Sequence, residues 1–258
     1  MILGLHSGLF AFGLFVAILI LLEVGRRVGK RQLARDPEGA RTGVTGVEGA
    51  IFGLLGLLIA FTFSGAASRF DARRKLITDE VNAIGTAWLR LDLLPADAQP
   101  PLRELFRKYL DSRLETYRRI PDLAAAKAEL AHSIELQKEI WRTSLEAIRS
   151  APPGPSGTAL INSLNAMFDV VTARTAAAFT HPPLIIYGML GALALAAAVL
   201  AGHAMASAKA RNWFHVVGFA LVLSSTVYVI LDLEFPRLGF IRLDAADRAL
   251  YDLREGMK

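Results

Sequence analysis

The sequence predicts an all-α integral membrane protein, with four transmembrane helices and a helical bundle outside one leaflet. Three observations predict it. Hydrophobic residues fill 53% of the 258 positions, and mean hydropathy is +0.39, too apolar for an ordinary soluble domain of this size. Four runs are long enough to cross a hydrocarbon core of about 30 Å: Leu3–Leu22, Val47–Gly65, Leu184–Met205 and Trp213–Leu231. Between the second and third lies a stretch, residues 66 to 182, with helical periodicity and no strand-like alternation.

The first run lacks the basic leading segment and small-residue cleavage site of a signal peptide, so it reads as a retained membrane helix. A polar hinge, Glu23–Gly46, carries Arg26, Arg27, Lys30, Arg31, Arg35 and Arg41 and leads to the second run. There the residues LLGLLIAFTFSGAASRFDARRKL, 54 to 76, pass from hydrocarbon to a basic face without a proline or turn. One helix therefore leaves the membrane unbroken. Its small residues Gly49, Ala50, Gly53, Gly56 and Ala60 interleave with Leu54, Leu57, Leu58 and Phe61. Small residues at four-residue steps let backbones approach, so a helix-packing face is favoured over a pore lining. After Phe61 the apolar character fades through Thr62, Ser64 and Ser68 to Arg69.

Beyond the membrane, Leu102, Leu105, Phe106, Tyr109, Leu110, Leu114 and Tyr117 recur at three- and four-residue steps on one helix face. Pro100 and Pro101 start that helix and Pro121 ends it. A second helix is expected from about Asp122 to Ser150, with Leu130, Ile134, Trp141, Leu145 and Ile148 on its apolar side. APPGPSG, 151 to 157, is a turn, and a third helix carries Leu164, Phe168 and Val171 to the HPP break at 181 to 183. The hinge Ala206–Asn212, with Lys209 and Arg211, joins the last two spans. The expected organisation is thus a first membrane pair (1–65), a helical insert continuous with the second span (66–182), a second pair (183–233) and a short tail (234–258).

The chemistry of catalysis is missing from this pattern. Without cysteine there is no disulfide, thiolate nucleophile or Cys-ligated zinc. His6, His132, His181, His203 and His215 are scattered, with no metal-ligand spacing among them. Asp79 and Glu80, neighbours on a helix, read as a solvated face; Asp169 and Arg174 are poorly spaced to pair. Asp244, Asp247 and Asp252 sit on a probable helix and are too sparse for a calcium site. There is no phosphate-binding glycine loop and no nucleophile elbow. No enzyme activity, metal or cofactor is expected. The net charge of +5 flanks apolar runs without aromatic interleaving, which points to membrane topology and away from nucleic acid.

The stretch Phe61, Ser68, Arg69, Phe70, Ala72 and Arg73 resembles the second membrane helix of bestrophin channels, where arginine and an aromatic follow a Gly-Phe step eight residues on. Here the step is Ala60-Phe61, followed by Arg69-Phe70. Glu234-Phe235-Pro236-Arg237-Leu238-Gly239 is similar to the turn after the last bestrophin membrane helix, so Glu234, Pro236 and Gly239 are the tail-turn candidates. The layout agrees along the whole chain, and the match is to bacterial bestrophin-like proteins. The resemblance implies a homo-oligomeric, pentameric ion channel in the cell membrane, multi-pass and in bacteria the inner membrane, with the second helices around a passive ion pathway. Gly53, Leu57 and Phe61 would line a hydrophobic neck at four-residue steps, and Ser64, Ser68, Arg69 and Arg73 a vestibule whose positive charge would draw in anions. For the two arginines, interfacial placement or pairing within the subunit is the favoured reading.

Orientation stays open. Short-loop charge would put the hinges in the cytoplasm, but Arg69, Arg73, Arg74 and Lys75 after the second span and Arg237, Arg242 and Arg248 after the fourth balance it, so charge does not decide. The resemblance puts the helical insert in the cytoplasm. The expected partners are the lipid bilayer, further copies of this chain and inorganic ions. The alternative function is a non-conducting membrane scaffold or sensor whose amphipathic helices dock a partner.

Overall fold

The computed structural model describes residues 7–36, 44–120, 122–208, 210 and 212–257. Residues 3–6 of the first expected span (with His6), Arg41, Pro121, Lys209, Arg211 and Lys258 lie outside the described residues. The helices are α1 (Ser7–Arg35), α2 (Val44–Arg90), α3 (Gln99–Arg118), α4 (Leu123–Ser150), α5 (Pro155–Phe179), α6 (Leu184–Ala204), α7 (Trp213–Glu234) and α8 (Asp244–Gly256). Two short 3-10 turns accompany them, Leu91–Leu93 and Met205–Ser207, and there is no strand among the described residues. Four helical segments are long and apolar enough to cross a membrane; they contain α1, α2, α6 and α7.

α2 is a single helix of 47 residues. At 1.5 Å per residue it is about 70 Å long, more than twice the hydrocarbon thickness. No proline interrupts it, and straight-chain residues such as Arg73, Arg74, Lys75 and Glu80 sustain it past the apolar part. α1 also outruns its span. The Glu23–Gly46 connection, expected as a hinge, is helical as far as Arg35. Its Glu, Arg and Lys residues favour helix, and Arg27 Nε donates to Glu23 Oε1 at 2.8 Å, one turn back.

The chain forms two compact units, residues 1–70 with 181–241, and 71–180 with 242–258. In the first, α1, α6 and α7 share a core in which Ile18, Leu190, Ala194, Ala197, Ala198, Ala220 and Ile230 are sealed from the surroundings. α1 and α6 touch backbone to backbone. A Cβ added at Gly25 would strike the Val199 carbonyl, and one at Gly202 the Leu22 carbonyl. Close approach of this kind supplies dispersion contact where lipid tails remove any hydrophobic drive between helices.

In the second unit, α3 buries the expected stripe Leu102, Leu105, Phe106, Tyr109 and Leu110, and Pro100 and Pro101 sit in its first turn. Asp122 caps α4 by accepting from the N–H groups of Ala124 and Ala125, each at 3.1 Å. The buried side of α4 differs from the expected one. It runs through Ala126, Ser133, Leu136, Ile140, Ser144 and Ala147, and Ile134 is exposed. α4 presents small residues to its neighbours, so Leu130, Trp141 and Ile148 pack from the flanks. α5 starts already at Pro155, after the N-cap Gly154. α8 closes this core with Leu250 and is followed by the buried Met257.

The backbone contact of α1 with α6 leaves no room for a side chain. Gly202→Val is expected to destabilise the membrane unit by about 3 kcal/mol or more. Thermal unfolding in detergent checks this, and a midpoint equal to wild type would contradict the close approach.

Candidate functional site

Around α2, at about 100° per residue, Gly53, Leu57, Phe61, Ser64 and Ser68 fall within an arc of about 80°. That arc is open. Leu57 is 53% exposed and Phe61 68% exposed, and both serines are exposed. A Cβ built at Gly49, Gly53 or Gly56 meets nothing within 4 Å. The small-residue face thus packs on no other described part of this chain. The buried residues Leu55, Thr62 and Ala66 lie on the opposite side of the helix. Thr62 Oγ1 donates to the Leu58 carbonyl at 2.7 Å, which removes its polarity from the apolar contact.

Arg69 and Arg73 belong to the packed side, away from the two serines. Arg69 clasps Glu234 at the end of α7: Nη2 to Oε2 is 2.7 Å and Nε to Oε2 is 2.9 Å. The Glu234 side chain is fully buried, and His181 Nδ1 lies 2.9 Å from its Oε1. The imidazole ring rests on Phe235, with centroids 4.6 Å apart. Glu234 therefore gathers the second helix, the break before the third span and the end of the fourth. Arg73 is buried too, donating to the carbonyls of Ala177 and Thr180, each at 3.1 Å.

The tail turn is built on a second buried carboxylate. Asp232 Oδ2 accepts the N–H groups of Phe240 at 3.0 Å and Ile241 at 2.8 Å. Gly239 passes so close that any Cβ would collide with the Asp232 carboxylate, which explains glycine there. Arg237 takes φ of 121°, a left-handed value that the turn imposes on a residue with a side chain. Pro236, half-buried, lies within the same turn.

The bestrophin-like domain family matches residues 12–247 of this sequence. The chain belongs to that family. Crystal structures of a bacterial bestrophin homolog from Klebsiella pneumoniae share the fold. One variant overlays with a TM-score of 0.71 at 16% identity, covering 94% of this chain and 98% of its own. Another gives 0.69 at 16%, with 92% and 98% covered. The structure phased by zinc anomalous scattering gives 0.68 at 15%, with 93% and 98% covered. No curated protein matches the sequence.

The bestrophin-like chain holds a further charged cluster that sequence reasoning missed, inside its second unit. Glu80, expected on a solvated face, is fully buried. Arg113 Nε donates to its Oε1 at 2.6 Å, and Arg174 Nη1 donates to its Oε2. Arg174 also reaches Asp247 Oδ1 of α8 at 3.0 Å, and its guanidinium lies 3.7 Å from the Tyr117 ring centroid. Burial by itself would raise the Glu80 carboxyl; the charges and hydrogen bonds of Arg113 and Arg174 outweigh it and hold it below the usual carboxylate range. Asp169 and Arg174, as expected, do not pair: Asp169 is exposed. The partners of Glu80 are far along the chain, and only its wrong-side placement against the Ile77–Ile84 stripe could have flagged it. For Glu234 there was a signal: acidic Asp232 and Glu234 close the last apolar helix, where ionisable groups are costly. Among the described residues no His or carboxylate group forms a metal-sized cluster.

Because Glu80 is held below its unfolded value, its stabilisation is present above the usual carboxylate range and is lost as pH falls through and below it. Glu80→Gln leaves two guanidinium groups buried with less anion between them, an expected loss of about 3–5 kcal/mol at neutral pH. The gap between wild type and variant in urea unfolding should shrink below about pH 4. A gap that is constant from neutral to acidic pH would contradict the pairing.

Proposed function

We propose that this protein is a homo-oligomeric ion channel of the bestrophin type, a pentamer whose α2 helices surround a passive pore. One observation carries the reading. An apolar membrane helix exposes a face of glycine, leucine and phenylalanine that no other described residue of its subunit covers, while its packed side is fastened elsewhere. Further copies of the chain supply what the face lacks. Gly53, Leu57 and Phe61 form the neck, where apolar rings gate by excluding water rather than by binding an ion. Ser64 and Ser68 continue the same arc as a polar widening. Arg69 and Arg73 serve this pore as anchors of α2, with their charges directed to Glu234 and to backbone carbonyls. Anions are the candidate cargo through the net positive charge of the chain.

In planar bilayers the purified oligomer should conduct, and Phe61→Ala or Leu57→Ala should raise conductance severalfold by widening and wetting the neck. Silence of wild type and both variants in a confirmed oligomer rules the channel out. Cysteines at both Gly53 and Leu57 separate the channel from a non-conducting scaffold, since the chain has no other cysteine and two thiols per subunit let a bifunctional thiol reagent join each subunit to both of its neighbours. Cross-linked ladders reaching five subunits support the pore, and dimers alone support the scaffold.

A further inference from the structure

Where α1 outruns its span, its chemistry changes abruptly. After Leu22 the helix carries Arg26, Arg27, Lys30, Arg31 and Arg35 against a single carboxylate, Glu23. At about 100° per residue these cations cover one half of the helix circumference. The other half holds Gly25 and Gly29, pressed against Val199, His203 and Ala206. One side is therefore occupied by backbone contact, and the opposite side presents charge to the surroundings: Arg27, Lys30, Arg31 and Arg35 are exposed.

The position of this arc relative to the hydrocarbon follows from α7. α1 runs parallel to α6, since Gly25 meets Val199 and Gly29 meets His203 and Ala206, and the short connection from α6 to α7 sets α7 antiparallel to both. Phe12 and Phe15 of α1 line one groove with Leu221 and Ser224 of α7, which fixes their level. Eleven residues from Ser224 back to Trp213 span about 16 Å, and the same climb along α1 ends near Glu23–Arg26. Trp213 and Phe214 are 57% and 84% exposed. Exposed aromatics at the level where an apolar helix ends mark the plane of the headgroups. The cations begin in that plane and continue for about 13 Å beyond it.

We infer that the basic arc of α1, with Trp213 at its lower edge, is a docking surface for anionic phospholipid headgroups. Charge complementarity selects this occupant: a phosphate layer lies at the depth where the arginines emerge, and guanidinium groups pair with phosphate oxygens bidentately. Two such faces carry the same sign of charge, so this surface does not pair with itself. The inference stands independently of ion conduction, because it concerns a face of α1 turned away from α6 and not the α2 arc.

Tryptophan quenching by brominated lipid tests it on the full chain in vesicles. Trp88 and Trp141 pack in the core of the other unit and supply a constant background, so the quenched signal reports Trp213. In phosphatidylcholine vesicles, brominated phosphatidylglycerol is expected to half-quench at a mole fraction about fivefold lower than brominated phosphatidylcholine. The combined variant Arg27→Gln, Lys30→Gln, Arg31→Gln should abolish the preference. The charge-keeping set Arg27→Lys, Lys30→Arg, Arg31→Lys should retain it, which separates loss of charge from loss of fold. Equal quenching by the two lipids in wild type, or a preference untouched by the glutamine set, overturns the inference.

Discussion

The clasp between Arg69 and Glu234 is the constraint on which the membrane unit depends. The membrane part of α2 touches its own subunit along a narrow strip, Leu55, Thr62 and Ala66, with Phe52 edge-on to Phe219 at 6.4 Å. Apolar contact of that kind is non-directional and tolerates rotation about the helix axis. A buried carboxylate does not. Glu234 is fully enclosed, and breaking such a pair leaves an uncompensated charge at a cost of several kcal/mol. Arg69 must therefore face α7, and that fixes which side of α2 is left open. The Gly53, Leu57 and Phe61 arc is exposed because Arg69 is not.

The same device recurs. Asp232 pins the tail turn by two backbone N–H groups and demands glycine at 239. Glu80 binds two arginines, and Arg174 passes the contact on to Asp247, so α8 is joined to the bundle by an ionic relay as well as by Leu250. Arg254 adds a two-point contact with Asp111 at 2.7 and 3.0 Å on the surface. Such buried networks contribute little net stability over apolar packing, but their geometry admits one arrangement. Register, in this chain, is a matter of charge.

Glycine divides into two uses along the first unit. At Gly25, Gly29 and Gly202 it permits backbone contact between α1 and α6, and the helices are locked. At Gly49, Gly53 and Gly56 a side chain would meet nothing within 4 Å among the described residues. Composition does not distinguish the two settings. Both follow the small-residue spacing of membrane helix packing, and only the positions of neighbouring helices separate a satisfied contact from an open one.

What the sequence by itself determined was carried by local physics. Run length and apolarity decided four spans, period and proline decided α3, and an unbroken set of helix formers decided that α2 continues out of the membrane. Family membership was legible too, through the Phe61 to Arg69 step and the Glu234 turn. Tertiary structure decided the rest. Glu80 looked solvated beside Asp79, α4 turned Ile134 outward in favour of Ser133 and Ser144, and Arg69 and Arg73 found their acceptors in Glu234 and in the Ala177 and Thr180 carbonyls. Each of these depends on a partner in another helix: Glu80 meets Arg113 and Arg174, 33 and 94 positions on, and Arg69 meets Glu234, 165 positions on. Periodicity reports which residues share a helix face; the electrostatic cost of burying a charge decides what that face must meet.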